Sequence, residues 1–138
     1  MPKVYKIVKQ VNDKLVSITA SGKAKVQYKP GEWAYPPEWL KDKGYDLFAF
    51  SKLQDAIDFY QHHYYRYMYN LRNFQFWEAQ SKVISLPTKR RLDLFSLNNG
   101  EINILAPKEW PKGTVCCPEL KLLKQVKGGY LEDETVRN

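Results

Sequence analysis

Apolar and polar residues alternate in short runs near both ends of the chain, and a helical spacing takes over only once, in the middle. Residues 4–11 and 15–19 are rich in β-branched side chains and are separated by Asn12-Asp13-Lys14, which predicts a hairpin. A third strand is expected at residues 24–28. It ends at Lys29-Pro30-Gly31, where proline presets a turn and glycine tolerates positive φ. Residues 32–45, with Trp33, Tyr35, Pro36, Pro37 and Trp39, read as a proline-punctuated loop with one helical turn at 38–42, followed by an apolar strand at 46–50.

The helical stretch is expected to start at Ser51 and run to about Leu71. Ser51 and Gln54 have the spacing of a capping box, in which hydroxyl and amide satisfy each other's free backbone donors. Leu53, Ile57, Tyr60, Tyr64, Tyr67 and Leu71 recur in steps of four and three, with Ala56 and Met68 beside them, so this stripe is assigned to the core. Subtracting it leaves Phe59, His62, Arg66, Tyr69 and Asn73 on a second face, flanked by His63 and Tyr65. A second aromatic face implies a further contact: a covering loop, another subunit or a ligand.

Beyond the helix, strands are expected at residues 74–79, 83–86, 102–105, 114–117 and 120–126, with a basic loop at 88–91, a helical turn at 92–97 and a turn at Asn98-Asn99-Gly100. The predicted fold is therefore α+β: a mixed, mostly antiparallel sheet of about six strands packed against one long helix, about 51–71. Residues 1–127 form one domain, and residues 128–138 a polar, flexible C-terminal tail.

Charge adds a partner class. The formal net charge is +7, and residues 1–29 carry seven lysines against Asp13 alone. An anionic partner follows, although lysines on edge strands also block sheet-to-sheet aggregation. No apolar stretch approaches the roughly 20 residues that cross a bilayer, and the first residues lack the apolar run of a secretory signal, so a cytoplasmic, non-membrane protein is expected. Cys116 and Cys117 are adjacent and have neither disulfide-framework nor zinc spacing; no metal and no cofactor is implied.

The candidate chemistry collects on the spare helix face. Phe59, Tyr65 and Tyr69 would stack on a flat ligand; Arg66 with Lys89, Arg90 and Arg91 would face phosphate; His62 or Trp33 would close the site. This predicts non-enzymatic binding of an anionic, nucleotide-type small molecule. The alternatives are nucleic-acid binding along the lysine-bearing strands, through Lys3, Lys6, Lys9, Lys23, Lys25 and Lys29, and use of the 59–69 face as a homo-oligomer interface. An enzyme would rest on Glu78, the most catalysis-like carboxylate, acting on a sugar as in ADP-ribosyl transfer or nucleotide cleavage.

A resemblance narrows the setting. Val4-Tyr5-Lys6-Ile7-Val8, the run from Tyr28 to Trp33, the run from Gly44 to Phe50, Asp55-Ala56, Phe59-Tyr60, Trp77-Glu78-Ala79, Gly113-Thr114-Val115 and Leu122-Leu123 follow one another in an order that resembles small proteins of phages, prophages and archaeal mobile elements. The likeness covers roughly residues 3–126. The same order is similar to compact scaffolds of the ADP-ribosyltransferase kind, without their Arg-His or Tyr-His nicotinamide motif. What a phage setting implies is interference with host processes in the host cytoplasm, including capture of the cyclic nucleotide signals of bacterial immunity.

Overall fold

The computed structural model describes residues 2–17, 26–42, 45–63, 74–87 and 111–127. Among these, β1 (Lys3–Val11) and β2 (Lys14–Ser17) form the expected hairpin, with Asn12 at φ 57°, a left-handed conformation that asparagine tolerates. β3 (Gln27–Tyr28) follows, and then a four-residue turn to β4 (Trp33–Ala34). In that turn the Glu32 amide donates to Lys29 O at 3.0 Å, and Gly31 sits at φ 81°. A proline before a glycine at positive φ is a type II turn, as the sequence predicts.

The remaining elements are α1 (Glu38–Lys41), β5 (Leu47–Phe50), α2 (Leu53–His63), β6 (Phe74–Gln80), β7 (Thr114–Cys117) and β8 (Leu120–Lys127). Among the described residues every strand pair is antiparallel, and the strands run β3-β2-β1-β6-β8-β4 across the sheet. The first and last of that row are consecutive in the chain, four residues apart. The sheet must therefore curl until its two ends meet, and the Gly31 amide marks the closure by donating to Leu122 O on β8 at 2.9 Å. A branch leaves at β1, whose second half pairs with β2 while Tyr5 pairs with Phe50 of β5; β5 in turn pairs with β7.

Curling gives the sheet an inside and an outside. Val4, Val8, Tyr28, Ala34, Ala79, Leu120 and Leu122 fill the inside, together with Leu47, Ala49, Val115 and Cys117 from the branch. Outside, Ile7, Phe74 and Phe76 meet Phe50 and the helix residues Ala56, Phe59 and Tyr60. Tyr60 sets its ring edge-on to both Phe74 and Phe76, at 5.3 and 5.5 Å between centroids.

This architecture corrects the α+β expectation. Among the described residues the protein is sheet-rich, with eight antiparallel strands in place of a mixed sheet of about six, and α2 is described over eleven residues where one helix over about 51–71 was expected. No long helix occurs among the described residues. Part of the error has a local cause: β3 and β4 have two residues each, too few to show a period of two, and β4 lies inside the presumed loop. Conversely, residues 83–86 look like a strand yet make one bridge, Ser85 to Cys116, and leave Val83, Ile84 and Leu86 exposed.

The helix start also differs from the capping box. Gln54 donates to Asp58 Oδ1 at 2.9 Å, and the Ser51 amide goes to Gly113 O at 3.0 Å. A tertiary bond to the 111–114 turn thus replaces the local cap. The segments expected at 92–97 and 102–105 and the tail at 128–138 lie outside the described residues.

A candidate ligand cleft lined by amides and two aromatic rings

Along the inner face of β1 the residues are Val4, Lys6, Val8 and Gln10, and facing them on β6 are Ala79, Trp77 and Gln75. Each pair lies directly opposite, so their side chains share one face. The interior therefore grades from apolar at the Val4 end to polar at the Gln10 end. At the polar end it opens as a cleft of about 610 Å³, which Gln10, Gln75, Trp77 and Gln125 line from the β1-β6-β8 side. Asp13, Lys14, Leu15, Gln27, Tyr28, Lys29 and Pro30 complete the wall from the β1-β2 turn, β2 and β3.

Three hydrogen bonds orient the amides. The Trp77 indole Nε1 donates to Gln75 Oε1 at 2.9 Å, Gln75 Nε2 donates to Gln10 Oε1 at 2.9 Å, and Gln10 Nε2 donates to Asn12 O at 3.2 Å. The direction of this chain is forced: an indole nitrogen can only donate, so Gln75 must turn its oxygen to Trp77, and each following amide is fixed in turn. Each amide keeps a second N–H and a second lone pair for a ligand. The result is a set of donors and acceptors held in place before anything binds.

Lys6 is the unusual member of the inner row. Alternation assigns it to the core face, between Val4 and Val8, and it is only part-buried. Its Nζ donates to Phe48 O on β5 and lies 5.5 Å from the centroid of the Tyr28 ring. The branch explains the first contact, because β1 passes from β5 to β2 beside Lys6, and its ammonium reaches the β5 backbone where the β1 ladder has moved away. Burial lowers its pKa to about 8, against a smaller opposing effect of Cys117. Lys6 is thus a cation at neutral pH, opposite Trp77 and against Tyr28, the two rings of the cleft.

The groups around Lys6 are neutral. Burial, and then the neighbouring Cys117, push the Tyr28 phenol up, while the Ser17 hydroxyl pulls weakly the other way. Tyr28 Oη makes no hydrogen bond of acceptable geometry among the described residues. Burial also raises Cys117 to about 11, offset in part by a bond to Ser81 and by Lys6, and raises Cys116 to about 12, with Asp46 and Cys117 adding to it. Both thiols stay protonated near neutrality, as small buried residues, so neither is a thiolate nucleophile.

The residues expected to bind ligand are placed differently. Phe59 is 6% exposed and lies in the outer core, its centroid 5.5 Å from that of Phe50, so its ring is not open to stacking. His62 falls in the last turn of α2, and its side chain lies outside what the structure describes. Tyr65, Arg66, Tyr69, Lys89, Arg90 and Arg91 lie outside the described residues. Trp33 stands on the outer face of β4, its ring 4.8 Å from Lys121 Nζ and 5.2 Å from Lys82 Nζ. Glu78 is on the outer face of β6, opposite Tyr5, with Lys3 Nζ 3.7 Å from its carboxylate.

Sequence reasoning missed Gln10, Gln75, Trp77 and Gln125 as a group. The signal was present in β6, where Phe74 and Phe76 alternate with Gln75 and Trp77, so one face is apolar and the other is an amide beside an indole. Among the described residues no helix is long and apolar enough to cross a membrane. Compared with protein-family models, with curated proteins and with solved structures, the chain has no match in any of the three.

Proposed function

We propose that this protein binds a flat, anionic, nucleotide-type small molecule in the amide-lined cleft and holds it without transforming it. The observation that carries this reading is the combination of the part-exposed Trp77 indole, a directed amide chain beside it and a partly desolvated ammonium on one inner face. Trp77 offers a π-face to a base, Gln10 and Gln75 offer paired donors and acceptors to its edge, and Lys14 and Lys29 at the rim, with Lys6 behind the rings, favour phosphate. Asp13 is the one carboxylate in the lining, and it leaves the balance positive. Glu78 lends no support to an enzyme acting at this cleft, because it faces the other side of the sheet.

The resemblance to phage-type accessory proteins makes cyclic nucleotide signals the first ligands to screen, with sequestration as the role. The test is a thermal-shift screen against linear and cyclic nucleotides, with the matching uncharged nucleosides as controls, and mass spectrometry of any small molecule that co-purifies. A ligand at about 100 times its Kd stabilises the folded state by roughly 2.7 kcal/mol, well within reach of such a screen. The reading expects a shift from nucleotides that shrinks in Lys14→Glu with Lys29→Glu. Equal shifts from nucleosides and nucleotides would refute the anionic part of it.

A further inference from the structure

We infer that the outer face of the sheet carries a second, independent site, a strip across the strands that takes single-stranded nucleic acid. The strip is a register row: Lys3 on β1 lies opposite Gln80 on β6, Gln80 opposite Lys121 on β8, and Lys121 opposite Trp33 on β4. Residues directly opposite in antiparallel pairs share a face, so these four side chains stand in one line on the side away from the cleft. At about 4.8 Å per strand the line is about 14 Å long.

Its chemistry is two lysines and an amide that end on an indole. Trp33 lies within cation–π distance of Lys121 and Lys82, at 4.8 and 5.2 Å from the ring centroid. Two residues on, beyond buried Ala34, Tyr35 is 50% exposed. Lys3 pairs with Glu78 and Lys82 with Glu119, each at 3.7 Å; both lysine side chains are more than half exposed, while the carboxylates are 20% and 16% exposed. The ammonium groups are thus open to solvent on the side away from their carboxylates, where a phosphate can approach them.

A single strand fits this strip better than a duplex. Lysines along a line follow a phosphate backbone, and the half-buried Trp33 and exposed Tyr35 rings beside them can stack on bases that are not already stacked on each other. A duplex presents no free base face to Trp33 or Tyr35. The site stands apart from the cleft, because the two lie on opposite faces of the same strands.

The test is fluorescence anisotropy of a labelled oligothymidine of about 12 nucleotides, longer than the strip so that any stretch of it can occupy the site. Saturable binding is expected, weakening at least tenfold between about 50 and 200 mM salt, and weaker by a similar factor for a duplex of equal length. Lys82→Gln with Lys121→Gln should weaken binding at least tenfold. These changes touch only surface side chains, so they decide the matter even if Trp33→Leu disturbs the β4 edge. Gln75→Ala, on the other face, should leave oligonucleotide affinity unchanged. The inference fails if the double variant binds as tightly as the parent, if duplex binds equally well, if Gln75→Ala abolishes binding, or if polyglutamate displaces the oligonucleotide at equal charge.

Discussion

Lys6 and Trp77 stand directly opposite each other on β1 and β6, so the one lysine on the core face of β1 is the cross-strand neighbour of the cleft's indole. The placement has a consequence for stability. Burial holds Lys6 at about 8 against an ordinary 10.5, so between these values the unfolded chain carries a proton that the folded chain has released. The Lys6 contribution to stability must therefore rise with pH from about 8 to 10.5, and the cost of the buried charge is fully present below 8. The raised thiols of Cys116 and Cys117 act in the opposite sense above their ordinary value of 9.0, so the net rise is confined to about pH 8 to 9. Lys6→Met should abolish that rise, measured as the urea midpoint across pH, and the difference between variant and parent should keep changing up to about 10.5.

The same proton governs binding. If the cleft holds an anion, its affinity should fall as pH rises through about 8, where Lys6 loses its charge. Titrations at pH 7 and pH 9 should differ for the parent and agree for Lys6→Met. A pH-independent affinity in the parent would place Lys6 outside the electrostatics of the site.

Two glycines separate conformational cost from crowding. Gly31 and Gly113 have nearly the same positive φ, 81° and 82°, but a Cβ on Gly31 would meet open space, while one on Gly113 would lie 2.2 Å from Asp55 Oδ2. Gly31→Ala should cost about 1 kcal/mol, the left-handed conformation alone. Gly113→Ala should cost more, by about 1–3 kcal/mol, since the buried Asp55 must move in a packed interior. Chemical denaturation of both variants gives the comparison; equal losses would mean that Asp55 yields freely.

Phe59 provides a test of core against site. Its buried ring between α2 and Phe50 predicts that Phe59→Ala destabilises by about 3–5 kcal/mol. Little loss of stability, together with loss of ligand binding, would return Phe59 to a functional role.

How far the chain can be read without a structure depends on how many residues carry each signal. The β1–β2 hairpin and the Pro30-Gly31 turn are legible because turn chemistry is local, and β1 has nine residues over which to show its faces. The curl of the sheet is not legible. It depends on two-residue strands, β3 and β4, whose pairing is set by tertiary closure and not by their own pattern. The burial of Phe59 was not legible because a helical wheel does not reveal how wide a stripe the opposing sheet will cover. Here Ile7, Phe74 and Phe76 cover enough of α2 to take Ala56, Phe59 and Tyr60 together. The cleft was hidden for a related reason. Its members are spread over β1, β3, β6 and β8 and meet only once the sheet has curled.

The central claim is that the inner cleft recognises a nucleotide-type anion through its oriented amides, and Gln75→Glu tests it most directly. Gln75 Oε1 accepts from Trp77 and its Nε2 donates to Gln10, so glutamate keeps the first bond, removes the second and adds a negative charge to the wall. Isothermal titration of the parent with a panel of linear and cyclic nucleotides should give one-to-one saturation for at least one of them, and the Gln75→Glu protein should bind it at least tenfold more weakly. If no nucleotide saturates the parent, or if Gln75→Glu binds as the parent does, the cleft is not the site.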